Sequence, residues 1–221
     1  MIRDTLVIAG KDLAIERSSR VGVNQVIPFS LVIVLLFGFA LNTQSRIIRT
    51  FAPGLFWVAI VFASLYLITR SMGLERDNAA IDGLLMLGVN PISIFFGKLI
   101  AICVMMLLLE IVEAGAIIVL FSVDFHSLAL ICISAVIATV GIGAVGLVYG
   151  GLASDQRSGD SLVPLLVLPV LAPIIIGATN CWSDALLGHI SIGDPWLVVL
   201  SVFGVVFLSV GASSFGAILE D

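Results

Sequence analysis

Charged side chains are scarce in this sequence: Asp, Glu, Lys and Arg together make up 11% of its 221 residues. A soluble domain would carry charge on about a quarter of its residues. Hydrophobic residues make up 60% of the chain, and the mean hydropathy is +1.23. Because so little polar surface cannot cover a soluble globule, the composition predicts a protein embedded in a membrane.

The sequence also lacks the motifs that mark most catalytic and cofactor sites. Its three cysteines include no Cys-x-x-Cys pair, which argues against a zinc site or a disulfide framework. No Gly-x-x-x-x-Gly-Lys-Ser/Thr loop is present, so we do not expect this chain to bind ATP in the P-loop manner. No Ser-His-Asp, paired-metal or nucleic-acid-binding pattern occurs. We therefore expect no catalytic residue, no metal site and no bound cofactor.

Apolar blocks divide the chain into six candidate membrane spans. Each block approaches or exceeds the ~18–20 residues that cross a bilayer as a helix. The blocks cover residues 26–44, 52–69, 93–121, 127–150, 162–180 and 195–217. We therefore predict an all-α membrane protein with one transmembrane domain over residues 1–221.

Basic residues are unevenly distributed among the predicted connections. Six spans place both termini on one side of the membrane, and eight of the ten Lys and Arg residues fall on that side. The two exceptions are Arg46 and Arg49. Because Lys and Arg concentrate on the cytoplasmic side, both termini are predicted to be cytoplasmic. Trp182 and Trp196 then flank an outer loop, where aromatic residues typically anchor a protein at the membrane interface.

Residues 1–20 precede the first span and carry apolar side chains at helical spacing. These are Ile2, Leu6, Ala9 and Leu13. The pattern predicts an amphipathic helix that lies in the cytoplasmic interface. A partly ordered polar tail is the alternative.

A second amphipathic segment, residues 74–91, separates the second and third spans. It is too short to cross the membrane and too apolar for a simple loop, and Gly88 and Pro91 are expected to end any helix in it. Its charged residues are Glu75, Arg76, Asp77 and Asp82. We predict a short cytoplasmic helix that buries its apolar face against a partner protein or, alternatively, only against its own bundle.

Two glutamates interrupt the third apolar block. Glu110 and Glu113 lie three residues apart and so share one face of a helix. A carboxylate that faces lipid costs a few kcal/mol, so we expect both to face the bundle interior, a watery vestibule or the outer interface. They would then belong to a transport path or an intersubunit contact. The alternative is that the third span ends early and re-enters, which would leave both glutamates near the surface.

The histidines and prolines suggest weaker hypotheses. His126 and His189 fall in predicted outer turns, where each is either an ordinary solvated side chain or a possible axial ligand of haem iron. Three prolines interrupt the fifth span and indicate either a hinge or a static kink: Pro164, Pro169 and Pro173. The Gly-rich stretch 141–151 lies inside an apolar span and indicates close helix packing.

Three stretches occur in order along the chain: "FAPGLFWVAIVFASL" at 51–65, "LERDNAAIDGLLMLGVNPISIFFGK" at 74–98 and "LLVLPVLAPIIIGAT" at 165–179. Together they resemble the haem exporter B, or cytochrome c maturation protein B, permease family of ABC-2-type transporters. In that family an Ala-Pro-Gly opens the second span, an acidic segment follows, a Gly-Lys begins the third span, and Leu-Pro-x-x-x-Pro marks the fifth. This chain departs from the family at 82–85, where Asp-Gly-Leu-Leu replaces the usual Gly-x-Leu-Glu pattern.

The resemblance implies a permease subunit for c-type cytochrome maturation in a prokaryotic inner membrane. Residues 74–91 would be its coupling helix, with Glu75, Arg76, Asp77 and Asp82 facing a separate ATPase subunit and Leu84, Leu85 and Leu87 anchoring the helix. ATP would bind to that partner, and haem would be present only transiently. The other implied partners are membrane lipid, a second copy of the chain or a partner permease, haem-handling membrane proteins and a haem chaperone.

Three other functions remain open from the sequence. An ABC-2-type exporter of a lipid, glycan or drug would share the same architecture. An ATP-independent transporter or channel would be expected to show an inverted repeat, and we find no convincing one. A purely structural membrane scaffold would tolerate charge reversal in residues 75–82.

Overall fold

The computed structural model describes residues 1–40, 45–77, 80–123, 125–154, 163–188 and 194–220. Within these ranges every regular element is helical, which confirms the all-α prediction. In chain order the elements are α1 (Ile2–Ser19), a π-helical turn (Gly22–Val26), α2 (Ile27–Ala40), α3 (Ser45–Asp77), α4 (Ala80–Met86), α5 (Pro91–Phe121), α6 (Leu128–Ser154), α7 (Val163–Leu186) and α8 (Pro195–Glu220).

Five of the described helices are long and apolar enough to cross a membrane: α3, α5, α6, α7 and α8. A sixth span is formed if α1 and the stretch 24–40 count as one broken span, bent by 55°. The multi-span prediction is therefore confirmed as five or six candidate spans. The last residues of the predicted first span, 41–44, lie outside the described residues.

Helix α3 is longer than the predicted second span at both ends. It begins at Ser45, so Pro53 lies inside the helix and does not open it. The helix also continues through Glu75 to Asp77. An apolar pattern marks only the lipid-crossing part of a helix, and the polar residues that extend it were assigned to loops. The first residues of the predicted coupling segment therefore belong to the helix of the second span.

Helix α6 is central to the bundle and contacts α3, α5, α7 and α8. Its glycines allow this packing: a Cβ atom on Gly141 would lie 2.6 Å from Ile174, and one on Gly143 would lie 2.8 Å from Leu99. A Cβ atom on Gly146 would clash with Ile68 of α3. The predicted role of the Gly-rich stretch in close helix packing is confirmed.

The N-terminal helix α1 packs along α5. Ile8 and Ala9 are buried in this contact, and a Cβ atom on Gly97 of α5 would lie 2.8 Å from Ile8. Ile2 and Leu6 remain exposed. Helix α1 thus has apolar residues on two sides, because the buried Ile8 lies outside the set Ile2, Leu6, Ala9 and Leu13 that the sequence analysis identified.

The two ends of α5 define two ends of the bundle. Lys98 lies near the beginning of α5. The end of the bundle that contains Lys98, together with α1 and the end of α3, is here called the Lys98 end. The opposite end of the bundle contains the α5–α6 turn and is here called the His126 end. There the His126 backbone N–H donates to the Ala185 carbonyl oxygen at 3.2 Å. Since α5 has 31 residues, these ends are about 45 Å apart.

Trp182 is not the interface anchor that the sequence suggested. Helix α7 extends to Leu186, so Trp182 lies in the helix and is buried. Its ring stacks on Phe56 with centroids 4.1 Å apart and meets Trp57 edge-on at 5.6 Å. Trp196, at the start of α8, remains partly exposed.

Candidate functional site

The predicted coupling segment forms a short helix, α4, at the Lys98 end. Gly88 ends it, as predicted: its φ is +75°, and its backbone N–H donates to the Leu85 carbonyl oxygen at 2.9 Å. This left-handed conformation favours glycine. Pro91 does not end α4 but opens α5, where the Asn90 side chain caps the helix by accepting the Ile92 N–H at 2.9 Å.

Helix α4 has a buried side and an exposed tip. Ile81, Leu84 and Leu85 are partly buried and pack against the hydrophobic core. Met86 and Leu87 are 89% and 81% exposed. Helix α4 is thus anchored by Leu84 and Leu85, whereas Leu87, which the sequence grouped with them, extends away from the bundle. The side chains of Arg76, Asp77 and Asp82 lie outside the described residues.

Glu75 lies in a group of four charged side chains, here called the ion cluster: Lys11, Asp12, Glu75 and Lys98. The Lys98 ammonium is 1% exposed and lies 3.0 Å from Glu75 Oε1 and 3.2 Å from Asp12 Oδ2. The Lys11 ammonium lies 2.5 Å from the same Glu75 oxygen and 3.1 Å from Asp12 Oδ1. Burial lowers the pKa of Lys11, but the bond to Glu75 and the charge of Asp12 outweigh it, so the pKa is raised overall.

The ion cluster joins α1, α3 and α5. Two positive and two negative charges balance, so no net charge is left in the buried contact. Arg70 of α3 adds a further link to α1, with its guanidinium 2.7 Å from the Glu16 carboxylate. Removing one member of such a cluster leaves its buried partners without an opposite charge. The resulting loss of folding stability is far larger than the loss caused by breaking a surface ion pair.

Within this chain, Glu75 does not face outward as the coupling hypothesis expected. It is 5% exposed, and its Lys partners lie 64 and 23 positions away in sequence. Sequence reasoning did not identify the cluster. One signal was available: Lys98 stands at the start of an apolar span, and a buried Lys requires a carboxylate partner.

Glu110 and Glu113 lie inside the bundle on α5. The Thr139 hydroxyl of α6 donates to Glu110 Oε1 at 2.5 Å. Glu113 is fully buried, and neither of its oxygens has a hydrogen-bond partner among the described residues. Ser30 of α2 lies beside it but donates its own hydroxyl to the Ile27 carbonyl oxygen at 3.0 Å.

The two glutamates therefore occupy the bundle interior, one of the predicted positions. Helix α5 continues without a break from Pro91 to Phe121, so the re-entrant alternative is wrong. Neither glutamate forms an ion pair with another described residue. Among the same residues no group of three or more His, Cys, Asp and Glu is arranged to hold a metal. The pair can serve as a polar element between helices.

The remaining candidates are spread over the His126 end and α7. His126 is exposed and lines a cavity with Arg49, whereas His189 lies outside the described residues. Pro169 and Pro173 lie inside α7, and Pro164 lies in its first described turn. Whether α7 bends during function stays a prediction.

Comparison with known proteins gives consistent matches over most of the chain. A family model described as CcmB protein matches residues 3–220. Heme exporter protein B of Haemophilus influenzae is 25% identical over 184 residues, which cover 81% of each chain. Heme exporter protein B of Pseudomonas aeruginosa is 22% identical over 175 residues, or 78% of each chain. The protein of the same name from Rhodobacter capsulatus is 22% identical over 169 residues, or 76% of this chain and 78% of the relative.

Proposed function

Because this chain belongs to the CcmB protein family, we propose that it is the permease subunit of an ABC transporter that serves c-type cytochrome maturation. The observation that supports this most strongly is the family match over residues 3–220. The multi-span bundle with its short helix α4 agrees with it. The role would be haem export or the ATP-driven release of a haem-loaded chaperone.

In this proposal the chain is a multi-pass protein of a bacterial inner membrane, and the Lys98 end faces the cytoplasm. The support for this orientation is the excess of Lys and Arg at that end. Lys11, Arg70 and Lys98 lie there, whereas Arg49 lies at the His126 end. Positive charge concentrates on the cytoplasmic side of membrane proteins.

ATP would be bound and hydrolysed by a separate subunit that docks on α4. The exposed apolar tip, Met86 and Leu87, suits a groove on a partner protein, because large exposed apolar residues typically mark an interaction site. Leu84 and Leu85 would hold α4 to the bundle. In this proposal the tip of α4 makes the docking contact, and Glu75 belongs to the ion cluster.

The ion cluster would make α1, α3 and α5 move as one unit when α4 is displaced. Helix α4 follows α3 after a two-residue gap, residues 78–79, and leads into α5 through the capped turn at Asn90. A displacement of α4 would therefore reach both spans directly. Glu110 and Glu113 lie further along α5, where such a movement would change their surroundings.

The experiment that tests the function is complementation of a strain that lacks this gene. Wild-type protein should restore covalent haem attachment to c-type cytochromes, and affinity purification in mild detergent should recover an ATP-hydrolysing subunit. The double variant Met86→Asp/Leu87→Asp should lose both the subunit and haem attachment, while Leu187→Asp at the His126 end should keep the subunit. Recovery of equal amounts of the ATPase subunit with both variants would contradict the docking role.

A further inference from the structure

An open cavity of about 330 Å³ lies at the His126 end of the bundle. Three elements line it: the beginning of α3, the α5–α6 turn and the end of α7. Neither α4 nor the ion cluster takes part in it, so the proposed coupling role leaves this cavity without a function. Its volume lies at the small end of the range of ~300–1,000 Å³ typical of ligand sites.

Two nitrogen-bearing side chains, Arg49 and His126, are among the described residues that line this cavity, and neither is committed elsewhere in the described chain. The Arg49 guanidinium has no ion pair or hydrogen bond with the rest of the described chain, and the same holds for the His126 imidazole. The turn that carries His126 is held in place by its backbone bond to Ala185. Arg and His are the side chains that bind carboxylate and phosphate groups through charge-assisted hydrogen bonds.

The acidic residues that the structure describes nearby, Asp184 and Asp194, are already engaged. Asp184, on the same helix as the cavity-lining Ser183, has an interaction of its own. Asp194 accepts the backbone N–H of Trp196 at 2.8 Å. The Ser183 hydroxyl donates to the Thr179 carbonyl oxygen at 2.9 Å. Among the described residues that line the cavity, the uncommitted charge is therefore positive, and the uncommitted nitrogen donors are those of Arg49 and His126.

The other side of the cavity is apolar, and Val123, Leu186 and Leu187 form it. Leu187 is 72% exposed, so this wall continues onto the surface of the protein. A small charged pocket beside an exposed apolar wall matches a molecule with an anionic head and an apolar body. The cavity volume accommodates only the anionic head group. The apolar body of the molecule would therefore lie against Leu186 and Leu187.

We propose that this cavity binds the carboxylate or phosphate head of an anionic amphiphile between Arg49 and His126. The chemistry is shared by acidic phospholipids and by porphyrins with carboxylate side chains. Binding itself does not depend on the proposed transporter function. Only the placement of the cavity on the outer side of the membrane rests on that function.

The test uses the purified full chain with two probes. Metal-free protoporphyrin IX provides carboxylates and excludes ligation of iron by His126, and its binding is followed by quenching of tryptophan fluorescence. Phosphatidylglycerol provides phosphate, and its retention is compared with that of phosphatidylcholine by native mass spectrometry. Arg49→Gln and His126→Gln are compared with Arg49→Lys, which keeps the charge, and with Arg17→Gln, which removes an exposed charge on α1.

We expect Arg49→Gln to weaken binding of at least one probe by about tenfold, the loss that follows from removing a charge-assisted hydrogen bond. His126→Gln should act in the same direction, while Arg49→Lys and Arg17→Gln should bind nearly as wild type does. The affected probe identifies the head group as carboxylate or phosphate. The proposal is overturned if wild type binds neither probe, or if the double variant Arg49→Gln/His126→Gln binds both unchanged with an unaltered melting temperature. ATPase co-purification is measured separately, so a failure of the proposed function is distinguished from a failure of this site.

Discussion

Lys98 is the most deeply buried member of the ion cluster, and its loss should strongly destabilise the Lys98 end. Lys98→Met leaves Glu75 and Asp12 with Lys11 as their only partner in the cluster. Stranding a buried charge costs about 3–5 kcal/mol. We expect a clear drop in melting temperature in detergent, and partial recovery in Lys98→Met/Glu75→Gln. Arg17→Gln, an exposed control, should melt as wild type; equal melting of Lys98→Met and this control would contradict the role of the cluster.

Buried glutamates with and without partners should respond differently to the same substitution. Glu75 contacts two ammonium groups, whereas Glu113 has no hydrogen-bond partner among the described residues. Glutamine, a neutral isostere of glutamate, removes an attraction to two ammonium groups at position 75. At position 113 it removes only the free-energy cost of burying a charge. We expect Glu75→Gln to lower the melting temperature and Glu113→Gln to leave it unchanged or raise it. The reverse order would show that Glu113 has an essential charged role in the fold.

At the residue scale, sequence reasoning succeeded for side chains whose position depends on the periodicity of a single helix. Glu110 and Glu113 were expected on one face of a helix with the bundle interior as one possible location, because lipid exposure is costly. The burial of Glu75 in an ion cluster was not predicted, because its partners lie on other helices, far along the chain. Spacing within one segment contains no information about such pairs.

The end of α4 depends on Gly88, which follows the helix, and Gly83 inside the helix provides a matched control. Gly88 has a φ of +75°, where a side chain is strained by about 1–2 kcal/mol. Gly83 is helical, and a Cβ atom there would contact nothing within 4 Å. We expect Gly88→Ala to speed backbone hydrogen exchange in residues 80–88 and Gly83→Ala to slow it. Equal exchange in the two variants would contradict the described ending of α4.

Replacing a glycine of the bundle by a larger residue should be tolerated only where no neighbouring atom lies close to the added side chain. Gly146 faces Ile68 closely, whereas Gly115 of α5 has no neighbour within 4 Å of an added Cβ atom. Overpacking a close-packed interior costs about 1–3 kcal/mol or more. We therefore expect Gly146→Leu to reduce the yield and melting temperature of the purified protein, while Gly115→Leu behaves as wild type. A tolerated Gly146→Leu would show that α3 and α6 pack less closely than described.

Element positions were largely predictable, and element ends were not. Helices α5, α6 and α8 begin and end within a few residues of the predicted spans, because their apolar blocks coincide with whole helices. Helix α3 was predicted too short because its polar ends continue the helix. Helix α7 was also predicted to end early, since the outer residues 181–186 were assigned to a loop.

For the whole molecule, the orientation in the membrane can be tested at two matched positions. Leu87 and Leu187 are both exposed, and each directly precedes a glycine with positive φ, at opposite ends of the bundle. In a Cys132→Ala background, an impermeant thiol reagent applied to intact spheroplasts should label Leu187→Cys. Leu87→Cys should react only after permeabilisation. The opposite labelling pattern would invert the proposed topology and with it the coupling role.

The central claim is that the exposed tip of α4 contacts an ATP-hydrolysing subunit, and in-cell photo-crosslinking tests it most directly. A photoreactive amino acid is placed at Leu87 or, as the matched control, at Leu187, in cells that express the whole transporter. We predict an adduct with the ATPase subunit from position 87 and none from position 187. Absence of that adduct from a well-inserted Leu87 variant, or its appearance from position 187, would contradict the claim.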